Sequence, residues 1–162
     1  RVGIVGLGNI GRAIAQRLSA FETRVQWWGR SPQDTPWERV SDLKQLAAQS
    51  DMLIIAVAAH DGTRGLITRE VIEALGPHGA LINMSRGFVV DEAALLSALK
   101  DGRLGEAGLD VFENEPDDGK QWKDLPNVIL SPHSSGHTIE SFQILCKRSA
   151  DAVIQHLSKP VQ

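Results

Sequence analysis

The chain has 162 residues, 42% hydrophobic and 23% charged, enough apolar material for one domain with a sizeable core. Its 17 basic and 20 acidic residues leave a formal net charge of -3, so composition gives no reason to expect nucleic acid or an anionic membrane surface as a partner. Cys146 is the one cysteine, which excludes an internal disulfide and fits a reducing, cytoplasmic setting, and no apolar run approaches the roughly 18 residues of a membrane span.

The chain opens on VGIV (2–5), an apolar run that reads as a buried strand. Such an opening reads as a strand and not as a signal peptide, and suggests a piece of a longer chain. NIGRAIAQRLSAF (9–21) sets Ile10, Ala13, Ile14 and Leu18 at helical spacing. RVQWW (24–28) reads as a second strand and SDLKQLAAQ (41–49) as a short helix capped by Ser41. MLIIAVA (52–58) is a third strand, apolar on both faces, as in parallel sheets covered on both sides. TREVIEAL (68–75) is a helix stopped by Gly76-Pro77, and ALINM (80–84) is a fourth strand. DEAALLSALKDG (91–102) has acids in its first turn and a glycine at its end, as the helix dipole and C-cap favour. EAGLDVF (106–112) is a fifth strand, 114–127 a polar loop, NVILS (127–131) a sixth strand, and 138–158 a long last helix. Six strands with intervening helices predict a doubly wound parallel sheet in three α/β/α layers, one domain over 1–162.

GLGNIG places Gly6, Gly8 and Gly11 directly after the first strand and at the start of the first helix. In the Rossmann dinucleotide fold these positions permit the tight turn, the approach of a pyrophosphate and close helix–strand packing. The helix N-terminus, with Asn9 and Ile10 in its first turn, then offers free N–H groups to the phosphates. About 20 residues on, such sites carry an Asp or Glu for the ribose hydroxyls. Here that place holds Gly29, Arg30 and Ser31. Loss of the carboxylate leaves room, Arg30 offers a charged planar fork for phosphate oxygens, and Ser31 adds a hydroxyl. The reading is NADP preferred, with NAD possible; the alternative is a solvated arginine beside an unselective pocket.

Three further clusters fall at strand ends, where ligands sit in sheets of this kind: NMSRGFVVDEAAL (83–95), GLDVFENEP (108–116) and LSPHSSGHT (130–138). Together with GLGNIG, and in this order, they resemble the D-isomer-specific 2-hydroxyacid dehydrogenases, over essentially the whole chain. WWGRSP is most similar to the glyoxylate/hydroxypyruvate reductase branch, whose members prefer NADPH. The resemblance implies an NAD(P)-dependent redox reaction on a 2-keto or 2-hydroxy acid. It implies that Arg86 grips the substrate carboxylate, that His133 is the general acid/base and that Glu115 orients it. Asp110 would hold the nicotinamide carboxamide, and Ala58, Met84 and Ser85, with Asn83 nearby, would flank the nicotinamide end together with His133. Each has a plainer alternative: a strand-end ion pair for Arg86, a turn cap for Asp110, a surface or core residue for His133, and another acid of ENEPDD for Glu115.

The pattern also departs from the family. Ala58 stands where a proline is usual, His60 replaces a small polar residue and either meets a ligand or faces solvent, and His137 adds an imidazole after the SPH motif. His78 reads as an exposed turn residue, His156 as a solvated helix residue, Cys146 as helix core, and Trp27 and Trp28 as sheet packing. No residue set has convincing zinc-ligand spacing, and SSGH lacks the context of a serine nucleophile. The family's substrate domain is absent from 1–162, so these residues are expected to bind cofactor with little turnover, and the parent protein to be a homodimer. Rival readings keep the family with a lactate-like, phosphoglycerate-like or bulkier acid, or make the protein a dinucleotide-sensing co-repressor-like interaction partner.

Overall fold

The computed structural model describes residues 1–158, which divide into two compact units, Arg1–Pro132 and a second that begins at His133. The first unit is a seven-stranded, wholly parallel sheet: β1 (Val2–Val5), β2 (Val25–Trp28), β3 (Glu38–Arg39), β4 (Met52–Ile55), β5 (Ala80–Asn83), β6 (Glu106–Leu109) and β7 (Val128–Leu130). Its helices are α1 (Asn9–Ser19), α2 (Leu43–Ala48), α3 (Arg69–Leu75) and α4 (Glu92–Lys100). The strand order is β3-β2-β1-β4-β5-β6-β7. The chain moves outward from β1 to β3, then returns to place β4 on the other side of β1. That reversal opens a crevice at the C-terminal ends of β1 and β4.

Two apolar layers hold the sheet. On one face Val5, Leu53, Ile55 and Leu81 pack with Leu46 of α2, Ile72 of α3 and Leu95 and Leu99 of α4. On the other, Ile4, Val25, Trp27 and Ile54 pack with Ala15, Ile14 and Leu18 of α1. The doubly wound, three-layer expectation therefore holds. Trp27 is fully buried and Trp28 half-buried, in keeping with sheet packing.

Several local expectations need correction. The sheet has seven strands, because Glu38–Arg39 pairs with β2. No apolar run announces this strand; side chains hold it, with Gln26 donating to the Glu38 carboxylate at 2.9 Å and the Trp27 indole N–H donating to the Trp37 carbonyl at 3.1 Å. The third and fifth expected strands stop early, at Ile55 and Leu109, where their partners Val5 and Asn83 also end. The residues beyond, 56–59 and 110–112, are thereby released from the sheet. Asp42, not Ser41, caps α2, its carboxylate accepting from the Gln45 N–H at 2.6 Å.

The second unit holds α5 (Ile139–Leu157), opened by a reciprocal cap in which Thr138 and Ser141 each accept the other's backbone N–H. None of its side chains is buried, and Cys146 is exposed, against the expectation of helix core. An apolar stripe fixes which side of a helix is apolar; it does not by itself show that the side is covered. His78 and His156 are exposed, as expected.

Candidate cofactor and active site

The β1–α1 turn is built around Gly6, whose φ of +93° is open to glycine at little cost. A Cβ on Gly11 would lie 2.0 Å from the Gly6 carbonyl oxygen, so helix and turn approach as closely as they do only without one. A Cβ on Gly8 would meet nothing within 4 Å, so that side of the turn is open. Gly8 is the N-cap of α1, no side chain caps the helix, and its first turn has no acid. The helix start, with Asn9 and Ile10 exposed, thus presents donors and a positive dipole end with no competing carboxylate.

At the end of β2 the loop is tied by arginines. Arg39 donates to the Gly29 carbonyl from Nε at 3.2 Å and from Nη2 at 2.8 Å, and its guanidinium lies 5.9 Å from the centre of the Trp27 ring. Arg12 of α1 donates to the Gln33 side chain at 2.6 Å. Arg30 donates from Nη2 to the Gly62 carbonyl at 2.5 Å, and Ser31 is exposed beside it. Glu38, at the start of β3, is engaged by Gln26 and Arg24, which hold its carboxyl below the usual range. Gly29 has a second reason to lack a side chain: a Cβ there would lie 2.8 Å from Cζ3 of the buried Trp27 ring. The space it leaves therefore serves β2 packing and is not simply room for a ligand.

A cavity of about 280 Å³ opens at the C-terminal ends of β1, β4 and β5, lined by Ile10, Ala56, Val57, Ala58, Ala59, Met84, Ser85 and Arg86. Five residues singled out from the sequence (Ile10, Ala58, Met84, Ser85 and Arg86) thus share one concavity. The turn bearing Arg86 is clamped from below. Buried Asn83 accepts the Ser85 N–H at 3.0 Å and donates to the Arg86 carbonyl at 3.1 Å, so its side chain is committed to the turn. Ser85 Oγ donates to the Val57 carbonyl at 2.7 Å, joining the ends of β4 and β5. The exposed Arg86 directs Nη1 to the Ser85 carbonyl at 2.6 Å.

Gly87 then passes against the chain leaving β6, where a Cβ would fall 1.9 Å from the Phe112 carbonyl carbon. This contact links the Arg86 turn to the Glu115 turn, in which Glu115 Oε1 accepts the Phe112 N–H at 3.0 Å. Asp110 is buried at the end of β6 and accepts from Ser131 Oγ at 2.6 Å. His133 is the first residue of the second unit, half-buried, with φ +52°, a conformation uncommon for a non-glycine residue. Among the described residues no group of three His, Cys, Asp or Glu side chains is placed to hold a metal ion, and no helix is long and apolar enough to cross a membrane.

The open glycine turn, the uncapped helix start and the arginine-tied loop fit a dinucleotide. The sequence matches the D-isomer specific 2-hydroxyacid dehydrogenase, NAD binding domain, over residues 1–135. The chain belongs to this family. Hydroxyphenylpyruvate reductase of Plectranthus scutellarioides is 45% identical over 158 residues, covering 97% of this chain and 49% of that protein. A glyoxylate/hydroxypyruvate reductase of Arabidopsis thaliana is 41% identical over 157 residues, covering 96% of this chain and 49% of that one. The crystal structure of an NADPH-dependent glyoxylate/hydroxypyruvate reductase from Sinorhizobium meliloti, in complex with NADP and malonate, superposes with a TM-score of 0.94 at 38% identity, covering 98% of this chain and 50% of that one. The chain spans about half the length of the curated relatives it matches, and as a member of the family it is the half that binds the nicotinamide dinucleotide.

Sequence reasoning missed the bracing residues: Arg12, Gln33, Arg39, the Asn83 clamp and the Gly62 carbonyl. Asn83 was visible within NMSRG, but only as a neighbour of the ribose. The others carry no motif, because they meet the site through the fold.

Proposed function

We propose that the chain is the cofactor-binding half of an oxidoreductase that reduces a small 2-keto acid of the glyoxylate or hydroxypyruvate class, with NADPH preferred over NADH. The observation that carries this reading is Arg30 at the end of β2, on a loop braced by Arg39 and Arg12 beside the open N-terminus of α1. In this reading Arg30 and Ser31 hold the 2′-phosphate by charge-assisted hydrogen bonds, and the backbone N–H groups at Gly8, Asn9 and Ile10 hold the pyrophosphate. Ala58, Met84 and Ser85 wall the nicotinamide end, and Asp110 faces its carboxamide. Bound there, the cofactor supplies a hydride to the substrate's carbonyl carbon.

The chain's own residues do the rest. Arg86 receives the substrate carboxylate on its fork of N–H donors and polarises the neighbouring carbonyl. His133 donates a proton to the carbonyl oxygen as reduction proceeds, and Glu115 stabilises the charged imidazolium beforehand. The likeness to the Sinorhizobium enzyme with NADP and malonate supports the cofactor and a small acid. The likeness to a hydroxyphenylpyruvate reductase favours a second reading with a bulkier 2-keto acid. The family resemblance further supports a homodimer, and the lone Cys146 a cytoplasmic setting.

The test is a panel of glyoxylate, hydroxypyruvate and an aryl-pyruvate with NADPH and NADH, on the full-length protein. Highest kcat/KM is expected for a small acid with NADPH. Arg30→Asp should lower kcat/KM with NADPH by about 10- to 100-fold, the worth of a hydrogen bond to a charged group, while sparing NADH. A wild-type preference for NADH would overturn the cofactor assignment; a preference for the aryl-pyruvate would select the second reading.

A further inference from the structure

After β4 the chain makes a 3-10 turn at Asp61–Thr63, and its hydrogen bonding is unusually complete for so short a segment. The His60 N–H donates to Thr63 Oγ1 at 3.0 Å, and the Thr63 N–H returns to the His60 carbonyl at 2.8 Å. His60 Nδ1 accepts the Gly62 N–H at 3.1 Å. Thr63 is buried and anchors the turn, whereas His60 and Gly62 face solvent. An accepting Nδ1 leaves the imidazole proton on Nε2 in the neutral ring.

The product of this capping is the fixed direction of one peptide group, the Gly62 carbonyl, which accepts Arg30 Nη2 at 2.5 Å across 32 residues of sequence. We infer that His60 is a positioning residue for Arg30: its imidazole builds the turn whose Gly62 carbonyl holds the Arg30 guanidinium ready for the 2′-phosphate. This rests on the reading of Arg30 as the phosphate-binding arginine. One N–H of the guanidinium goes to the carbonyl; four donors and the full charge stay available to an anion. A free arginine would lose rotamer freedom on binding, and here part of that loss is met before the ligand arrives. Gly62 fits the same account. A Cβ there would lie 3.0 Å from Arg30 Nη2 and 3.1 Å from His60 Cε1, and the φ of Gly62 lies outside the left-handed region, so alanine would push the guanidinium and the imidazole out of their present positions by a few tenths of an ångström without straining the backbone.

The experiment is direct titration of the full-length protein with NADPH and with NADH, read as dissociation constants by tryptophan fluorescence or calorimetry. His60→Ala should weaken NADPH about two- to tenfold, the worth of one pre-ordered flexible side chain, and change NADH by less than twofold. His60→Asn, whose shorter side chain can still cap the turn, should recover most of the loss, and Gly62→Ala should reproduce it. In an Arg30→Ala background, His60→Ala should have no further effect on NADPH. Equal weakening of both cofactors, no weakening, or an effect that persists without Arg30 would each overturn the inference. A wild-type protein that binds both cofactors equally, and is indifferent to Arg30→Asp, would overturn the phosphate-site reading and this inference with it. An NADPH preference that falls with Arg30→Asp but not with His60→Ala overturns the inference alone.

Discussion

Arg86 and His133 are asked to do different things, and a single substitution separates them. Arg86 sits on a turn fixed by Asn83 and Ser85, which suits its proposed role of holding a carboxylate in place. His133 is assigned the proton, and an imidazole suits that role because it exchanges protons near neutral pH. His133→Ala in the full-length protein should therefore lower kcat by about 100-fold or more, the usual worth of a general acid, while the NADPH dissociation constant moves little. Near-normal turnover would remove His133 from the mechanism. At this scale the glycine turn was legible as a motif, and its geometry at Gly6, Gly8 and Gly11 is as that motif requires. The sequence was silent on Arg12, Arg39 and Gly62, whose partners lie 21, 10 and 32 residues away and are brought near only by the sheet. Gly29 was half legible. Its missing carboxylate was visible, but its contact with the Trp27 ring was not.

Between elements, the sharpest constraint is the passage of Gly87 against the chain leaving β6. The atoms a Cβ would strike are backbone, the Phe112 carbonyl and the Glu113 nitrogen, which cannot swing aside as a side chain can. Gly87→Ala should cost about 1–3 kcal/mol by overpacking, visible as a fall in Tm of about 2–4 °C per kcal/mol in a thermal melt. Because the same contact joins the Arg86 and Glu115 turns, the KM for keto acid should rise as well. A stable variant with unchanged KM would show that the two turns are not coupled. The helices and six of the seven strands were legible because they carry apolar runs or stripes. β3 was not, since two polar residues held by Gln26 and the Trp27–Trp37 contact leave no periodicity to read. Strand ends were misjudged for a related reason: AVA after Ile55 is apolar enough to continue, but β1 has ended and no partner remains.

For the whole molecule, the deciding feature is how much of a site this chain can assemble. The reversal of strand order between β1 and β4 collects the glycine turn, the cavity and the Arg86 turn at one end of the sheet. On the proposed reading the helix start and the arginine-tied loop hold the phosphates, so this chain carries the dinucleotide's main contacts. Hydride transfer asks for more. Charge development at the substrate carbonyl is stabilised best where water is excluded, because electrostatic interactions strengthen as the local dielectric falls. Here Ala58 and Arg86 are exposed and Ile10 is 58% exposed, so the cavity wall is open to solvent. The relatives of this chain are about twice its length. Residues 1–162 prepared alone should therefore bind NADPH within about tenfold of the full-length protein, since most of the binding donors are present. Their kcat with hydroxypyruvate should be lower by at least about 1000-fold, because substrate placement and exclusion of water each contribute large factors to rate. The two measurements separate cleanly. Tight cofactor binding without turnover would mean that these residues hold the dinucleotide and that closing the site takes more than they supply. Turnover within tenfold of the full-length protein would mean that Arg86, Glu115 and His133 need no covering domain, and the division of labour proposed here would fall.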